Sequence, residues 1–402
     1  PALYPLELSS AASDVYKRQL ADYVGFRFES RAARTLAALI VIFSSFLYMT
    51  AVFKGIGNLL EVFLEIPYKT SIIIVFLIVV AYTVVGGFIS VVRTDAVQGV
   101  LMIGAATLLF WGTYSAAGGM AALDDLKAAA DTAFLFEWGG GVTVPFVLGV
   151  LFAGTVKFLV EPRQLSRFYA LNGPAAIRRG LIVSTLAFTF VYTLLTPVGL
   201  FARRVLPGGL EDTDLVVPGL LAADGVFSAG SSAFLLVAMI AAAMSSLDSV
   251  LLVLASSVER DIVAIFRKKM DKPPLDEAGV LKATRFFVFL FAAITAVISL
   301  DPPDGIVALT ALSGAIYGAC FGPAILLGLH WKRGDAWAVI TSFGVGLATL
   351  LLWRYTPWAG AIHQVFPAVV LSFAAYVSIA LVRPAYDPFA ALASSRAEEV
   401  AV

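Results

Sequence analysis

Ten stretches of this chain are each long and apolar enough to cross a lipid bilayer, and few folds are open to a chain built that way. A spanning helix needs about 20 predominantly apolar residues for a hydrocarbon core of roughly 30 Å. Such stretches lie at about 34–60, 70–90, 95–116, 144–162, 181–203, 230–256, 283–300, 305–329, 335–354 and 364–382. Inside lipid, every backbone polar group must be satisfied within the protein, so runs of this length are helical. The expected fold class is an all-α integral membrane protein, a bundle of about ten transmembrane helices. Composition agrees: 60% of residues are hydrophobic and 14% charged, against about half and a quarter in soluble domains.

The same residues narrow the chemistry. A single cysteine, Cys320, excludes an internal disulfide. The two histidines, His330 and His363, flank apolar segments and are expected at interfaces or in loops. Metal-cluster and triad chemistry therefore have little to work with, and neither an enzyme nor a nucleic-acid binder is expected. The partner such a surface calls for is a lipid bilayer. Between the third and fourth spans, Met120–Phe134 is amphipathic and reads as a surface helix.

Lys and Arg in short loops set the orientation. One side carries nineteen of them, from Arg27, Arg31 and Arg34 through Arg163 and Arg267 to Arg383 and Arg396. The other carries five: Lys69, Lys127, Arg203, Arg204 and Arg354. The bias alternates through all ten spans. It places the start of the first span and the C-terminus in the cytoplasm, with the protein in the cytoplasmic membrane. Residues 384–402 are the expected cytoplasmic tail.

Residues 9–19, SSAASDVYKRQ, are the in-frame translation of a transposon-based sequencing-library adapter. Residues 1–19 are accordingly read as an artefact and excluded from the fold. Native protein is expected to start near Leu20, as the transporter domain 20–383.

Ionisable groups inside spans are costly and mark functional sites. Asp248 lies in AAAMSSLDSVLLVL, and Ala242, Ser245, Ser246 and Ser249 share a face at helical spacing. A carboxylate with hydroxyls on one stripe supplies the oxygen ligands of a hard cation such as Na+. Small residues at a helix–helix contact would explain the serines but not Asp248. Asp95 opens the third span, where a helix N-terminus also favours a carboxylate. Lys157 and Glu161 are four apart in GTVKFLVEPRQL and are placed to neutralise each other, with Gly154 and Pro162 interrupting the helix around them. Interrupted helices at membrane depth mark substrate sites in transporters. An ion pair snorkelling to the cytoplasmic surface is the alternative, and snorkelling is also the expected state of Lys54.

Several motifs, in order along residues 20–382, resemble the sodium/solute symporter family of proline, pantothenate and galactose carriers. They are LADYVGFRFESRAAR, AYTVVGGFISVVRTDAVQG, EPRQLSRFYAL, AAAMSSLDSVLLVLASSVERDI and PAILLGLHWKRGDAWA. The resemblance implies the leucine-transporter-type fold, two inverted five-helix repeats. On that mapping 34–116 is the remainder of the first repeat, 144–329 is the second, and 335–382 adds two helices. The first two core helices are then missing before residue 34. The resemblance also implies a main Na+ at Ser245 and Ser246 beside the Ala242 carbonyl, and a second cation site at Asp95, Asp248 and Ser249. Thr155 and Phe158 match positions that face substrate in some relatives. Glu161 and Arg163 depart from that family's Gln and His.

The implied function is sodium-coupled secondary active symport of a small organic solute, an amino acid or carboxylate, by alternating access. Na+ is the coupling ion and no other cofactor is implied. The alternative is a membrane-embedded solute sensor of the same fold.

Overall fold

The computed structural model describes residues 20–137, 143–164, 173–206, 212–258, 270–273, 275–331 and 333–383, with isolated positions 171, 263 and 267. Residues 1–19 and 384–402, an artefact segment and a tail in the sequence reading, lie outside them.

Among the described residues the chain is helical throughout. In order the helices are α1 (Leu20–Arg27), α2 (Arg31–Leu64), α3 (Tyr68–Ala117), α4 (Ala121–Ala128), α5 (Val144–Val160), α6 (Gly173–Leu195), α7 (Val198–Val205), α8 (Val216–Ala222), α9 (Ala229–Val258), α10 (Glu277–Ser299), α11 (Ile306–His330), α12 (Ala336–Leu352) and α13 (Val365–Val382). Eight helical segments among the described residues are long and apolar enough to cross a membrane. Tyr68–Ala81 and Val144–Val160 are shorter apolar helices at the two remaining expected spans. The surface helix expected over Met120–Phe134 is the eight-residue α4 followed by a short 3-10 turn. His363 lies in a loop as expected, yet is buried there beside Phe146.

The spans expected at 70–90 and 95–116 are joined in one helix of 50 residues. A straight helix of that length would run about 75 Å. Its contacts require a reversal instead. The Tyr68 hydroxyl donates to the Ser299 carbonyl at 2.9 Å, at the end of α10. Gly112, near the other end of α3, lies beneath Phe227, just before α9 begins. The start of α9 and the end of α10 lie on the same side of the bundle, because α9 and α10 are consecutive packed helices. Thr83 and Asp95 both reach one turn of α9, at Asp248 and Ser245. The helix therefore turns back between Thr83 and Asp95, the stretch that holds Gly86 and Gly87.

The core of the bundle is the packing of α2 and α5 on α11. α11 buries Ser313, Gly314, Ala315, Gly318 and Ala319 in succession, which lets neighbouring backbones approach closely. A Cβ on Gly314 would stand 3.2 Å from the Ala153 carbonyl oxygen and 3.3 Å from Lys157 Cδ, so α5 is held tight against this point. Polar bonds cross the same contact. Ser44 Oγ donates to the Ser313 carbonyl at 2.9 Å, and Ser45 Oγ lies 3.1 Å from the Tyr317 hydroxyl. At the far end of α11, Arg27 is buried and donates to the Gly328 and Trp331 carbonyls at 2.7 and 3.1 Å. These satisfy carbonyls left over at a helix C-terminus.

Lys54 does not snorkel to water. Its Nζ sits 2.7 Å from Asp214 Oδ2 and 3.7 Å from Asp212 Oδ2. Asp214 also accepts the Ile306 N–H at 3.0 Å, pinning the loop before α8 to α2 and to the start of α11. Lys54 reaches this carboxylate because the loop folds over it, a long-range pairing that local sequence does not encode. Asp214→Ala should lower the stability of the detergent-solubilised protein by about 2 kcal/mol, the loss of a charged hydrogen bond softened by Asp212. Thermal unfolding of the variant beside wild type measures it.

Candidate functional site

Two polar clusters lie in the interior, one on each side of the Tyr48 side chain. The first is built on α9. Ser245 Oγ donates to Asp95 Oδ1 at 2.7 Å, and Ser249 Oγ donates to the Ser245 carbonyl at 3.0 Å. Thr83 Oγ1 donates to Asp248 Oδ1. Asp248 is 1% exposed, and its Oδ2 meets no hydrogen-bond partner among the described residues. Asp95 stands close enough to Asp248 to repel it. A buried carboxylate in the field of a half-buried one, ringed by hydroxyls, forms a site whose charge a cation would balance. No group of three metal-binding His, Cys, Asp or Glu side chains occurs among the described residues; the donor set here is carboxylate plus hydroxyl, suited to a hard monovalent ion.

The expected serine stripe is thus shared between two neighbours. Successive residues of a helix point about 100° apart. Ser245 faces α3, while Ser246 lies beside the Tyr48 phenol on α2. Ala242 is half-buried one turn earlier.

The second cluster forms where α5 stops. Its backbone is helical to Val160 and extended at Glu161, with φ −69° and ψ 126°. Pro162 follows and has no N–H to continue the ladder. The interruption expected here is present at Pro162, while the helix runs through Gly154 unbroken. The break alters the pairing. Glu161 no longer lies on the helix face of Lys157, and the two form no direct ion pair among the described residues. Its Oε1 instead accepts from Arg163 Nε at 2.8 Å and pairs with Nη2 at 2.6 Å. Arg163, counted from sequence among the cytoplasmic loop residues, is mostly buried in the bundle. Its Cζ stands 4.4 Å from the centroid of the Tyr48 ring, and Lys157 Nζ stands 4.1 Å from the same centroid.

Tyr48 and Tyr317 lie near the midpoints of α2 and α11, so this cluster is at mid-bundle depth. Ser45, Tyr48, Glu161, Pro162, Arg163, Val250, Val253 and Tyr317 line a small cavity there, with room for about one water molecule, 10 Å³. Its charges are incompletely matched. Glu161 Oε2 is buried with no hydrogen-bond partner. Lys157 is buried and held by the Tyr48 ring. A cation–π contact contributes about 2 kcal/mol when desolvated, less than the several kcal/mol that burying an ammonium costs.

Thr155 and Phe158 do not join this cluster. Thr155 is exposed and donates to its own helix at the Leu151 carbonyl, 2.9 Å away. Phe158 is 42% exposed, with its ring 6.1 Å from that of Phe188 on α6. Helical spacing puts both off the face that carries Lys157. The structure adds four residues that sequence reading passed over: Tyr48, Thr83, Ser45 and Tyr317. A polar triplet inside an apolar span, Ser44-Ser45 with Tyr48 one turn on, was the available signal.

The chain as a whole matches known proteins. The model of the sodium:solute symporter family matches residues 14–344. The chain belongs to the sodium:solute symporter family. The osmoregulated proline transporter OpuE of Bacillus subtilis is 30% identical over 369 residues, 90% of this chain and 73% of that protein. The sodium/pantothenate symporter of Haemophilus influenzae is 26% identical over 359 residues, 89% of this chain and 73% of that protein. The solved structure of a Na+-coupled sialic acid symporter superposes with a TM-score of 0.72 at 20% identity, covering 91% of this chain and 78% of that one. The fold is therefore the leucine-transporter type, and this member of the symporter family is a multi-pass membrane protein.

Proposed function

We propose that this symporter-family member moves a small organic solute, an amino acid or other small carboxylate, across the cytoplasmic membrane together with Na+, with its C-terminus in the cytoplasm. The main Na+ site comprises Ser245 and Ser246 with the Ala242 carbonyl. The second comprises Asp95, Asp248 and Ser249. Lys157 and Glu161, with Arg163, face the solute. The observation that carries this reading is the position of Tyr48. Its ring carries Lys157 Nζ and Arg163 Cζ of the second cluster at 4.1 and 4.4 Å, and its phenol lies beside Ser246 on the ion helix. Ion and solute groups thus share one side chain, so filling either site acts on the other. Relatives named for proline and pantothenate transport agree with a carboxylate-bearing solute.

The test uses protein expressed from the intact gene and reconstituted into proteoliposomes. Influx of radiolabelled Na+ should rise when a mixed pool of amino acids and small carboxylates is added outside. No stimulation by any member of the pool would defeat the symport reading.

A further inference from the structure

The loop between α12 and α13 is fastened to the first turns of α5, the helix that carries Lys157 and ends at Glu161. Thr143 Oγ1, just before α5, donates to the Ala361 carbonyl at 2.8 Å. The Phe146 ring stands edge-on to the His363 ring, with centroids 5.3 Å apart. One turn further on, a Cβ at Gly149 would come within 2.2 Å of His363 Cβ, so glycine alone leaves room for the histidine to seat. Phe152 stacks on Phe366 at 5.4 Å and continues the same seam.

His363 is the titratable member of this seam and is 6% exposed. Its Nδ1 accepts the Val365 N–H at 3.3 Å, so the seated ring is the neutral tautomer with its proton on Nε2. A second proton would set a donor against a donor and put a charge in an apolar seat. The faces around the ring hold no acid or base to receive that charge: α5 brings Phe146 and Gly149, and α13 brings Val365 and Phe366. Glu137 and Arg354, the charged residues nearest along the chain, are exposed. Burial alone, among the described residues, holds the His363 pKa below the ordinary histidine value.

We propose that His363 is a proton-operated latch: neutral, it holds the α12–α13 loop on the start of α5, and protonated, it lets the loop go. A released ring titrates near about 6.5 and the seated ring lower. The latch is therefore at full strength above about pH 6.5 and weakens as the pH falls below it, by up to about ten-fold per pH unit until the seated ring itself protonates. In the orientation and function proposed above, this loop faces outside. Acid there frees the first turns of α5, and solute-driven Na+ influx slows as the helix that carries Lys157 loses its fixed end.

Release is read first without transport, in detergent, by maleimide labelling of Ile362→Cys in a Cys320→Ala background between about pH 8 and about pH 5. Dividing each rate by that of Trp358→Cys, 60% exposed in the same loop, removes the thiol's own pH dependence. The ratio should rise at least about five-fold on acidification. It should stay flat in His363→Asn, which keeps an acceptor for the Val365 N–H and never charges. A flat ratio with His363 present, or the same rise in His363→Asn, would overturn the latch. Gly149→Ala leaves no room for the seated ring and should give the released ratio at every pH; the seated ratio there would overturn it too. Should His363→Asn fail to fold, the other two proteins decide. In proteoliposomes, acid outside should slow influx several-fold only where His363 is present. Release in detergent with influx unchanged would overturn its control of transport. Influx absent at every pH would defeat the symport reading and leave the labelling result standing.

Discussion

Asp248→Asn should raise the Na+ concentration for half-maximal uptake by more than about 100-fold, or abolish coupling, while expression changes little. Asp248 is 1% exposed and hydrogen-bonded by Thr83 through one oxygen, with the other unpartnered among the described residues. A buried carboxylate beside a second one, Asp95, is tolerable when a cation lies between them. Asparagine keeps the shape and the Thr83 bond but removes the charge. Losing a charged ligand costs on the order of 3 kcal/mol, which is about 100-fold in affinity. Ser245→Ala removes a neutral hydroxyl that also steadies Asp95 at 2.7 Å, and should cost about ten-fold. Thr83→Val is the control: it removes the bond to Asp248 and leaves the charge, so its Na+ dependence should stay within a few-fold of wild type. Sodium titrations of uptake in proteoliposomes rank the three. If Asp248→Asn and Thr83→Val give the same modest shift, Asp248 is a structural partner of Thr83 and not an ion ligand.

What could be read ahead of the structure follows from how locally each feature is encoded. Hydropathy runs fix spans because lipid imposes its length on each segment separately. All ten positions reappear, two of them as shorter helices. Asp248 could be picked out for the same reason, since a carboxylate in an apolar run is conspicuous on its own. The break after Val160 was readable too, because Pro162 acts on its own backbone. The partners were not. Tyr48 meets Arg163, Lys157 and Ser246 from far along the chain, and within its own span it is one aromatic among many. Lys54 looked like a snorkelling side chain because Asp214 lies 160 residues away in sequence. The pairing expected between Lys157 and Glu161 failed for a local reason. The i,i+4 rule presumes an intact helix, and the extended backbone at Glu161 carries its side chain to Arg163 instead.

That exchange of partners leads to the second large effect, in the Glu161–Arg163 pair itself. Glu161 is 2% exposed, and the Arg163 side chain beside it is mostly buried. The pattern this chain resembles has Gln and His at these two positions, so both departures are charged and of opposite sign. Breaking a buried pair on one side strands the other charge at a cost of about 3–5 kcal/mol. Arg163→His should therefore destabilise severely, since Glu161 would lose its partner on both donors while Lys157 stays at the Tyr48 ring. Glu161→Gln should be milder. Arg163 keeps the Tyr48 ring 4.4 Å away. The two changes made together strand neither charge and should recover most of the stability, giving a coupling energy on the order of 2 kcal/mol in a double-mutant cycle. Thermal unfolding of the four proteins in detergent measures the cycle. Strict additivity would mean that the two side chains do not depend on each other, and the mid-bundle ion pair would not exist in the folded protein. Coupling of the expected sign would explain why a chain departing from the family pattern at one of these positions departs at the other: the Glu161 carboxylate is not tolerable at that depth without Arg163.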